Sequence, residues 1–399
     1  MARFEVMRVP DPKHVPAAVL RRVGDIWGRG GLVAFPTETV YGLGADADNA
    51  HACRRIYETK GRPADNPLIV HFASREAAET ALGPLPASAD RLARAFWPGP
   101  LTLVVPRPEG RFKGAAAGLG TVAVRVPDHP VARRLLEATG RAVAAPSANR
   151  SGRPSPTLAL DVVADLAEAE RMGVDLSDVL VLDAGSCILG VESTVVDATE
   201  EPVAVLRQGG VPQADLEALL GPVLGSGAKE ARRRRSPGTH YRHYAPAAPV
   251  WLWEEDEGDD VVREGLRVAL EGRNAEAADR SARDRGPVVI LASEDRIRRL
   301  DGFLRTLPDV APGPAVFAGG GDADPNSSAY AHGLFTWLRE ADRMQACAVF
   351  AELPSARRGG YSTAVRDRLT RAAGGLHLVS SKGCRGRSAA ALDDGGRHA

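Results

Sequence analysis

From the N-terminus to about Gly221 this chain alternates short apolar runs with amphipathic stretches, and several apolar runs follow one another with too little chain between them for a crossover helix. Parallel neighbours in a sheet need a crossover of a dozen or more residues, whereas antiparallel neighbours close through a tight turn. The spacing therefore predicts an α/β domain whose sheet is mixed rather than purely parallel. Strands are predicted at 32–35, 68–72, 101–105, 122–126, 142–145, 179–182, 194–197 and 203–206. Helices are predicted at 16–29, closed by Gly30-Gly31, and at 49–59, 88–96, 130–139 and 158–168.

The pattern breaks at 225–249. A Gly/Ala start leads into the run Arg232 to Arg235 and then Ser236-Pro237-Gly238-Thr239-His240-Tyr241-Arg242-His243-Tyr244-Ala245-Pro246. A spacer built only for reach is Gly/Ser-rich or Pro-rich throughout. This one carries two His and two Tyr in its middle, side chains that gain from docking against a domain. The four arginines read as a solvated charge run. From Val250 a second, smaller α/β pattern begins, with strands at 250–253, 288–291 and 348–353 and helices at 261–270, 296–306, 329–344 and 362–373. Gly319-Gly320-Gly321-Asp322 reads as a turn at a strand end. The division is a first domain at 1–224, a linker at 225–249, a second domain at 250–378, and a tail at 379–399 with little to bury and disorder expected.

Composition excludes several function classes. Lys+Arg 51 against Asp+Glu 51 gives no net charge, so the chain as a whole does not advertise a nucleic-acid or membrane binder. Cys53, Cys187, Cys347 and Cys384 are scattered with no C-x-x-C pair, which argues against both a zinc site and a disulfide framework. The charged N-terminus and the lack of any run of ~18 apolar residues make a soluble, unexported, cytoplasmic protein with no membrane contact the expectation.

Chemistry concentrates at strand ends. The segment Phe35-Pro36-Thr37-Glu38-Thr39-Val40-Tyr41-Gly42-Leu43-Gly44 puts three hydroxyl groups of Thr and Tyr, a carboxylate and two glycines after an apolar run, either as a tight turn or as a ligand site. Lys60-Gly61-Arg62 on a loop stiffened by Pro63 and Pro67 sets two cations where both can face one ligand. Arg offers paired donors to phosphate oxygens and Lys a point charge, so an anionic, phosphate-bearing partner suits them. His71 lies in an apolar strand, where a satisfied core histidine is the usual explanation. The third segment runs from Ala145 through Ser147, Asn149 and Ser155 to Thr157, with small residues that let a ligand approach and hydroxyls and an amide that bond without adding charge. Arg125 sits four residues after Thr121 in an apolar run and must meet an anion or solvent. Val191-Glu192-Ser193-Thr194 and Leu206-Arg207-Gln208-Gly209 complete the set.

Taken together, these segments resemble the threonylcarbamoyl-AMP synthases, whose catalytic unit is the YrdC-like domain, and the resemblance covers nearly the whole chain. Lys60-x-Arg62 with Ser147-x-Asn149 matches the family signature, and the linker with Asp367-Arg368-Leu369-Thr370-Arg371-Ala372-Ala373 looks like its long, two-domain form. The resemblance implies a YrdC-like twisted mixed sheet with flanking helices and a smaller Rossmann-like C-terminal domain. It implies condensation of L-threonine, bicarbonate or carbon dioxide, and ATP into threonylcarbamoyl-AMP with release of pyrophosphate, for threonylcarbamoyladenosine formation beside the anticodon of tRNA. Carried over by motif, Thr37, His71, Arg125 and Ser193 are expected to contact threonine, and Arg62, Asn66, Thr121, Ala145, Ser147, Ser155 and Arg207 to hold ATP. Lys60 and Asn149 complete the catalytic signature, and Mg2+ is expected through the ATP phosphates and water. Tyr241, His243 and Tyr244 are expected to close over the pocket and exclude water from the labile adenylate. A downstream threonylcarbamoyl transferase is the implied partner, with a tRNA contact possible in principle. Two rivals are a binder of structured RNA, for which the Arg232 to Arg235 run could meet phosphates, and a carbamoyl transferase with a similar domain, which would also bring zinc-binding cysteine pairs that this chain lacks.

Overall fold

The computed structural model describes residues 4–225, 232, 234–236, 244–276, 286–306, 316–318 and 328–378. Linker residues Tyr241 and His243, the expected turn at 319–322 and the tail at 379–399 lie outside the described residues.

The first domain is a ten-stranded sheet. In chain order its elements are β1 (Glu5–Arg8), α1 (Ala17–Gly28), β2 (Leu32–Pro36), β3 (Tyr41–Asp46), α2 (Ala50–Lys60), β4 (Ile69–His71), α3 (Arg75–Leu82), α4 (Ala87–Phe96), β5 (Leu101–Pro106), β6 (Thr121–Arg125), α5 (Pro130–Thr139), β7 (Val143–Ala144), α6 (Ala159–Arg171), β8 (Val179–Asp183), β9 (Thr194–Asp197), β10 (Ala204–Arg207) and α7 (Gln213–Leu220). Across the sheet the order is β1-β8-β2-β3-β7-β4-β6-β5-β9-β10. Pairs β1/β8, β2/β8, β4/β6 and β5/β9 are parallel, and the remaining pairs are antiparallel. The mixed sheet expected from strand spacing is the one that forms.

Strand alternation sorts the core into two layers, because successive side chains leave a strand on opposite faces. Along β2, Leu32 and Ala34 join one apolar cluster with Leu43, Val70 and Val181, while Val33 and Phe35 join another with Val23, Leu135 and Leu180. Helix α1 covers the second face through Val19, Val23, Ile26 and Trp27, an i, i+4, i+7, i+8 stripe. Its Trp27 Nε1 donates to the Gly44 carbonyl at 3.0 Å, which satisfies the one polar atom that this ring buries.

Four elements of the first domain were not expected from the sequence: β1, β3, α3 and α7. The segment 35–44 was read as a strand running into a loop, yet Pro36 pairs with Tyr41 and the chain returns as a buried strand. The glycines that masked β3 are required by packing. A Cβ on Gly44 would stand 2.6 Å from Phe35 Cε1 and 2.8 Å from Val143 Cγ1.

The second domain is a four-stranded, wholly parallel sheet ordered β11-β14-β12-β13, with β11 (Val250–Glu254), β12 (Val288–Ser293), β13 (Val316–Ala318) and β14 (Ala348–Leu353). Its helices are α8 (Asp259–Glu276), α9 (Glu294–Leu304), α10 (Ser328–Arg343) and α11 (Ser362–Ala373). Helix α10 seats this domain on the first. Arg339 Nη2 donates to Asp165 Oδ2 at 2.8 Å and Arg343 pairs with Asp161, both on α6, while Thr157 and Thr336 meet at 2.9 Å. Val40 and Val191 of the first domain share an apolar cluster with Leu334, Phe335 and Leu338 of α10.

The Arg232 to Arg235 run corrects its reading as a solvated charge run. Arg232 is buried and donates to the Asp197 carboxylate at 2.9 Å, and Arg235 reaches Asp197 at 3.1 Å and Glu200 at 3.0 Å. Arg234 is exposed. A buried carboxylate at the end of β9 repays the desolvation of two arginines, so those two donor sets face inward rather than toward an outside polyanion.

Candidate active site

One cleft gathers the strand ends. Thr37, Thr39 and Val40 come from the β2–β3 turn and Gly42 from β3, and Arg62 follows α2. Ile69 and His71 lie on β4, Arg125 ends β6, and Ala145, Pro146 and Ser147 follow β7. Glu192 and Ser193 precede β9, Arg207 ends β10, and Tyr244 enters from the linker.

Local sequence explains the placement. Asn49 caps α2 by accepting from the His51 and Ala52 backbone N–H groups, and Gly61 ends it in the left-handed region at φ 59°. That turn sends Arg62 across the loop, where Nε donates to the Asn66 carbonyl at 3.0 Å and Nη2 to Asn66 Oδ1 at 2.6 Å and the Pro67 carbonyl at 2.7 Å. Lys60, on the last turn of the same helix, donates to the Ser147 carbonyl at 2.6 Å and to the Asn149 carbonyl. Asn149 in turn donates to the carbonyls of Arg150 at 2.7 Å and Arg153 at 2.9 Å and accepts from Ser147 Oγ at 2.5 Å. The paired signature is thus a single braced loop. Among its four residues Arg62 and Ser147 face the cleft, while Lys60 and Asn149 stand behind it.

The opposite wall is set by β4 and β6, whose register places His71 beside Arg125. Arg125 donates through Nε to the Gly99 carbonyl at 3.1 Å and through Nη1 to Thr39 Oγ1 at 3.0 Å. Its Nη2 stands 2.6 Å from Glu38 Oε1, an ion contact without hydrogen-bond alignment. The anion that a buried Arg125 demands is therefore supplied in part by the chain itself. His71 Nδ1 lies 3.2 Å from the Ile69 carbonyl, and burial together with the Arg125 charge lowers its pKa to about 3, so its ring is neutral. Thr37 Oγ1 donates to the Val40 carbonyl at 2.7 Å and fixes the turn.

Ser193 shares a 2.7 Å hydrogen bond with Thr102 and accepts from Arg207, whose Nη2 stands 2.9 Å from the Ser193 carbonyl and 3.1 Å from Oγ. Gly209 permits this approach, because a Cβ there would fall 2.3 Å from the Ser193 carbonyl carbon and 2.4 Å from the Glu192 oxygen. Glu192 accepts from Ser155 Oγ at 2.5 Å and from Arg368 Nε at 2.8 Å. Tyr244 is buried, stacked on Phe335 at 5.4 Å and 28°.

The cleft is electropositive by construction. Burial pushes the Lys60 ammonium well below its ordinary value, lowers Arg62 to about 10 and lowers Arg207. Among the described residues Lys60 and Arg62 spend donors on carbonyl and amide oxygens rather than on carboxylates. Desolvated cations of this kind gain when an anion binds.

Of the residues expected from sequence, Thr37, Arg62, His71, Arg125, Ala145, Ser147, Ser193, Arg207 and Tyr244 line the cleft. Asn66 aims Arg62, and Ser155 reaches the cleft through Glu192. Thr121 begins β6 opposite Pro106, at the far end of the strand from Arg125. Glu192, Thr39 and Pro146 also line the cleft and carried no distinguishing signal in the sequence beyond belonging to the quoted segments.

Comparison with known proteins agrees with this geometry. A family model for Sua5, YciO and YrdC proteins, described as telomere recombination, matches residues 25–209, and one described as threonylcarbamoyl-AMP synthase, C-terminal domain, matches residues 211–374. The threonylcarbamoyl-AMP synthase of Pyrococcus abyssi is 45% identical over 264 residues, covering 63% of this chain and 75% of its own. That of Bacillus subtilis is 45% identical over 247 residues, covering 61% and 67%. The crystal structure of P. abyssi Sua5 complexed with L-threonine superposes with a TM-score of 0.76 at 35% identity, covering 94% of this chain and 98% of that one.

Proposed function

This chain belongs to the two-domain threonylcarbamoyl-AMP synthase family, nucleotidyltransferases by class, and from that membership we propose that its cleft condenses L-threonine, bicarbonate or carbon dioxide, and ATP into threonylcarbamoyl-AMP and pyrophosphate. The observation that carries this reading is the pairing, in one buried cleft, of an Arg62/Arg207 side suited to phosphates with an Arg125/His71 side suited to an amino-acid carboxylate.

The chemistry asks for alignment more than for a nucleophile. The threonine amine attacks carbon dioxide and loses a proton to give a carbamate, and a carbamate oxygen then attacks the α-phosphorus as the bond to pyrophosphate breaks. Two anions must be held together and charge on the leaving group offset. Arg125, Thr37 and Ser193 meet the threonine, with neutral His71 adding a polar contact and no second positive charge. Arg62, Ala145, Ser147 and Arg207 meet the nucleotide. Asn66 supports it by aiming Arg62, Ser155 through Glu192, and Lys60 with Asn149 by holding the Ser147 loop in place. For Thr121 the structure supplies no contact to the cleft.

Magnesium fits as a passenger of the nucleotide. Among the described residues no cluster of three or more His, Cys, Asp or Glu side chains could hold a metal, and the cleft offers hydroxyls, amides and cations. When bound through ATP phosphates and water, the ion offsets phosphate charge. Tyr244 closes the cleft against water in this reading, and the product passes to a threonylcarbamoyl transferase that modifies tRNA in the cytoplasm. Among the described residues no helix is long and apolar enough to cross a membrane.

The test is pyrophosphate release from ATP and magnesium with threonine and bicarbonate omitted in turn, beside Arg62→Met and Arg125→Met. Release that needs both co-substrates, with ATP affinity lost in the first variant and threonine affinity in the second, is expected. ATP hydrolysis indifferent to threonine overturns the assignment.

A further inference from the structure

One residue of α11 reaches from the second domain to the wall of the cleft. Arg368 is fully buried. Its Nε donates to Glu192 Oε2 at 2.8 Å and its Nη1 to Asp367 Oδ2 at 2.5 Å, and its guanidinium carbon lies 5.0 Å from the centre of the Tyr244 ring. Three parts of the chain thereby meet at one point: the strand end at Glu192, the linker at Tyr244 and the second domain at Arg368.

Glu192 is the one carboxylate that lines the cleft among the described residues. On the proposed reading that wall faces a polyphosphate, and an unbalanced carboxylate there repels the ligand. In a desolvated site the repulsion is large, since two unit charges several ångströms apart interact by about 2 kcal/mol at an effective dielectric near 20. Burial pushes the Glu192 carboxyl up, and the charges of Arg368 and then Arg207 outweigh it, leaving a pKa of about 2. Glu192 is thus an anion that needs its partner.

We infer that Arg368 is a positioning residue of the cleft, supplied by the second domain, which neutralises Glu192 and turns its carboxylate onto Ser155 so that the nucleotide meets cations rather than a free carboxylate. This makes the second domain a determinant of nucleotide affinity and leaves the threonine side untouched. It rests on the nucleotide reading above.

The experiment uses the full chain and the variants Arg368→Met, Arg368→Lys, Glu192→Gln and the double Arg368→Met/Glu192→Gln. ATP affinity is measured by direct titration, and KM for ATP and for threonine by pyrophosphate release. Arg368→Met is expected to weaken ATP about 30-fold, with the threonine KM within about twofold of wild type. Arg368→Lys is expected to retain only part of the ATP affinity, because it can keep a charge but loses the paired donors and the stacking on Tyr244. The double variant is expected to recover ATP binding, because the amide no longer repels phosphate. Wild-type ATP affinity in Arg368→Met, equal weakness in the single and double variants, or parallel loss of ATP and threonine binding overturns the inference. Should Arg368→Met fail to fold around its lone carboxylate, the charge-free double decides: ATP binding near wild type supports the inference, and a tenfold loss refutes it. Wild-type dependence on threonine and bicarbonate is established first. Its failure removes the synthase reading, whereas a normal wild type with an indifferent Arg368→Met removes only the role of Arg368.

Discussion

Acid should destabilise this protein through His71 by an amount that can be worked out. His71 is buried on β4 beside Arg125, and its pKa falls from the ordinary 6.5 to about 3. Between those values the unfolded chain binds a proton that the folded chain refuses, so stability is full above pH 6.5 and is lost as pH falls toward 3. One proton corresponds to a slope approaching about 1.4 kcal/mol per pH unit. Integrated from pH 7.5 to pH 5, His71 alone removes about 2 kcal/mol. His129, also buried and also lowered, adds to the total slope. A difference measurement isolates His71. Urea denaturation of wild type and His71→Gln at both pH values should show the wild type losing about 2 kcal/mol more than the variant, whatever the substitution costs at neutral pH. Equal losses in the two proteins would refute the claim that the ring is held neutral by burial and by Arg125.

Gly209→Ala forces a Cβ to within 2.4 Å of the Glu192–Thr194 backbone; it should cost about 1–3 kcal/mol in thermal or urea unfolding and weaken threonine binding through Ser193. Lys60→Met releases the Ser147 and Asn149 carbonyls from a common donor, and displacement of that loop should lower kcat/KM for pyrophosphate release about 100-fold. Arg339→Met leaves buried Asp165 without its interdomain partner and should destabilise by about 3 kcal/mol in urea, most of it regained when Asp165→Asn is added. Removal of magnesium with a chelator should abolish pyrophosphate release, and added magnesium should restore it.

Much of the fold was legible because periodicity records burial directly. Strand 194–197 and helix 130–139 form over the residues expected, since each carries an uninterrupted pattern bounded by turn residues. β3 was not legible: Gly42 and Gly44 read as turn residues, and the reason for them is contact with Ala145 and Phe35, which lie elsewhere in the sequence. The arginine run was misread for a related reason. A cluster of charge defaults to solvent unless a buried counter-charge exists, and Asp197 lies 35 residues before Arg232.

The sequence by itself determined the mixed α/β architecture, the division into two patterned regions and the family signature, because apolar period, turn residues and short motifs are local properties of the chain. Only the tertiary structure decided which signature residues face the cleft and which hold it up, since the direction of Lys60 and Asn149 depends on carbonyls of a loop about 90 residues away in the case of Lys60. It alone brought Arg368 to Glu192, across 176 residues. Long-range charge pairing of that kind leaves no periodic trace, because nothing in the spacing of a chain records which buried cation will meet which buried anion.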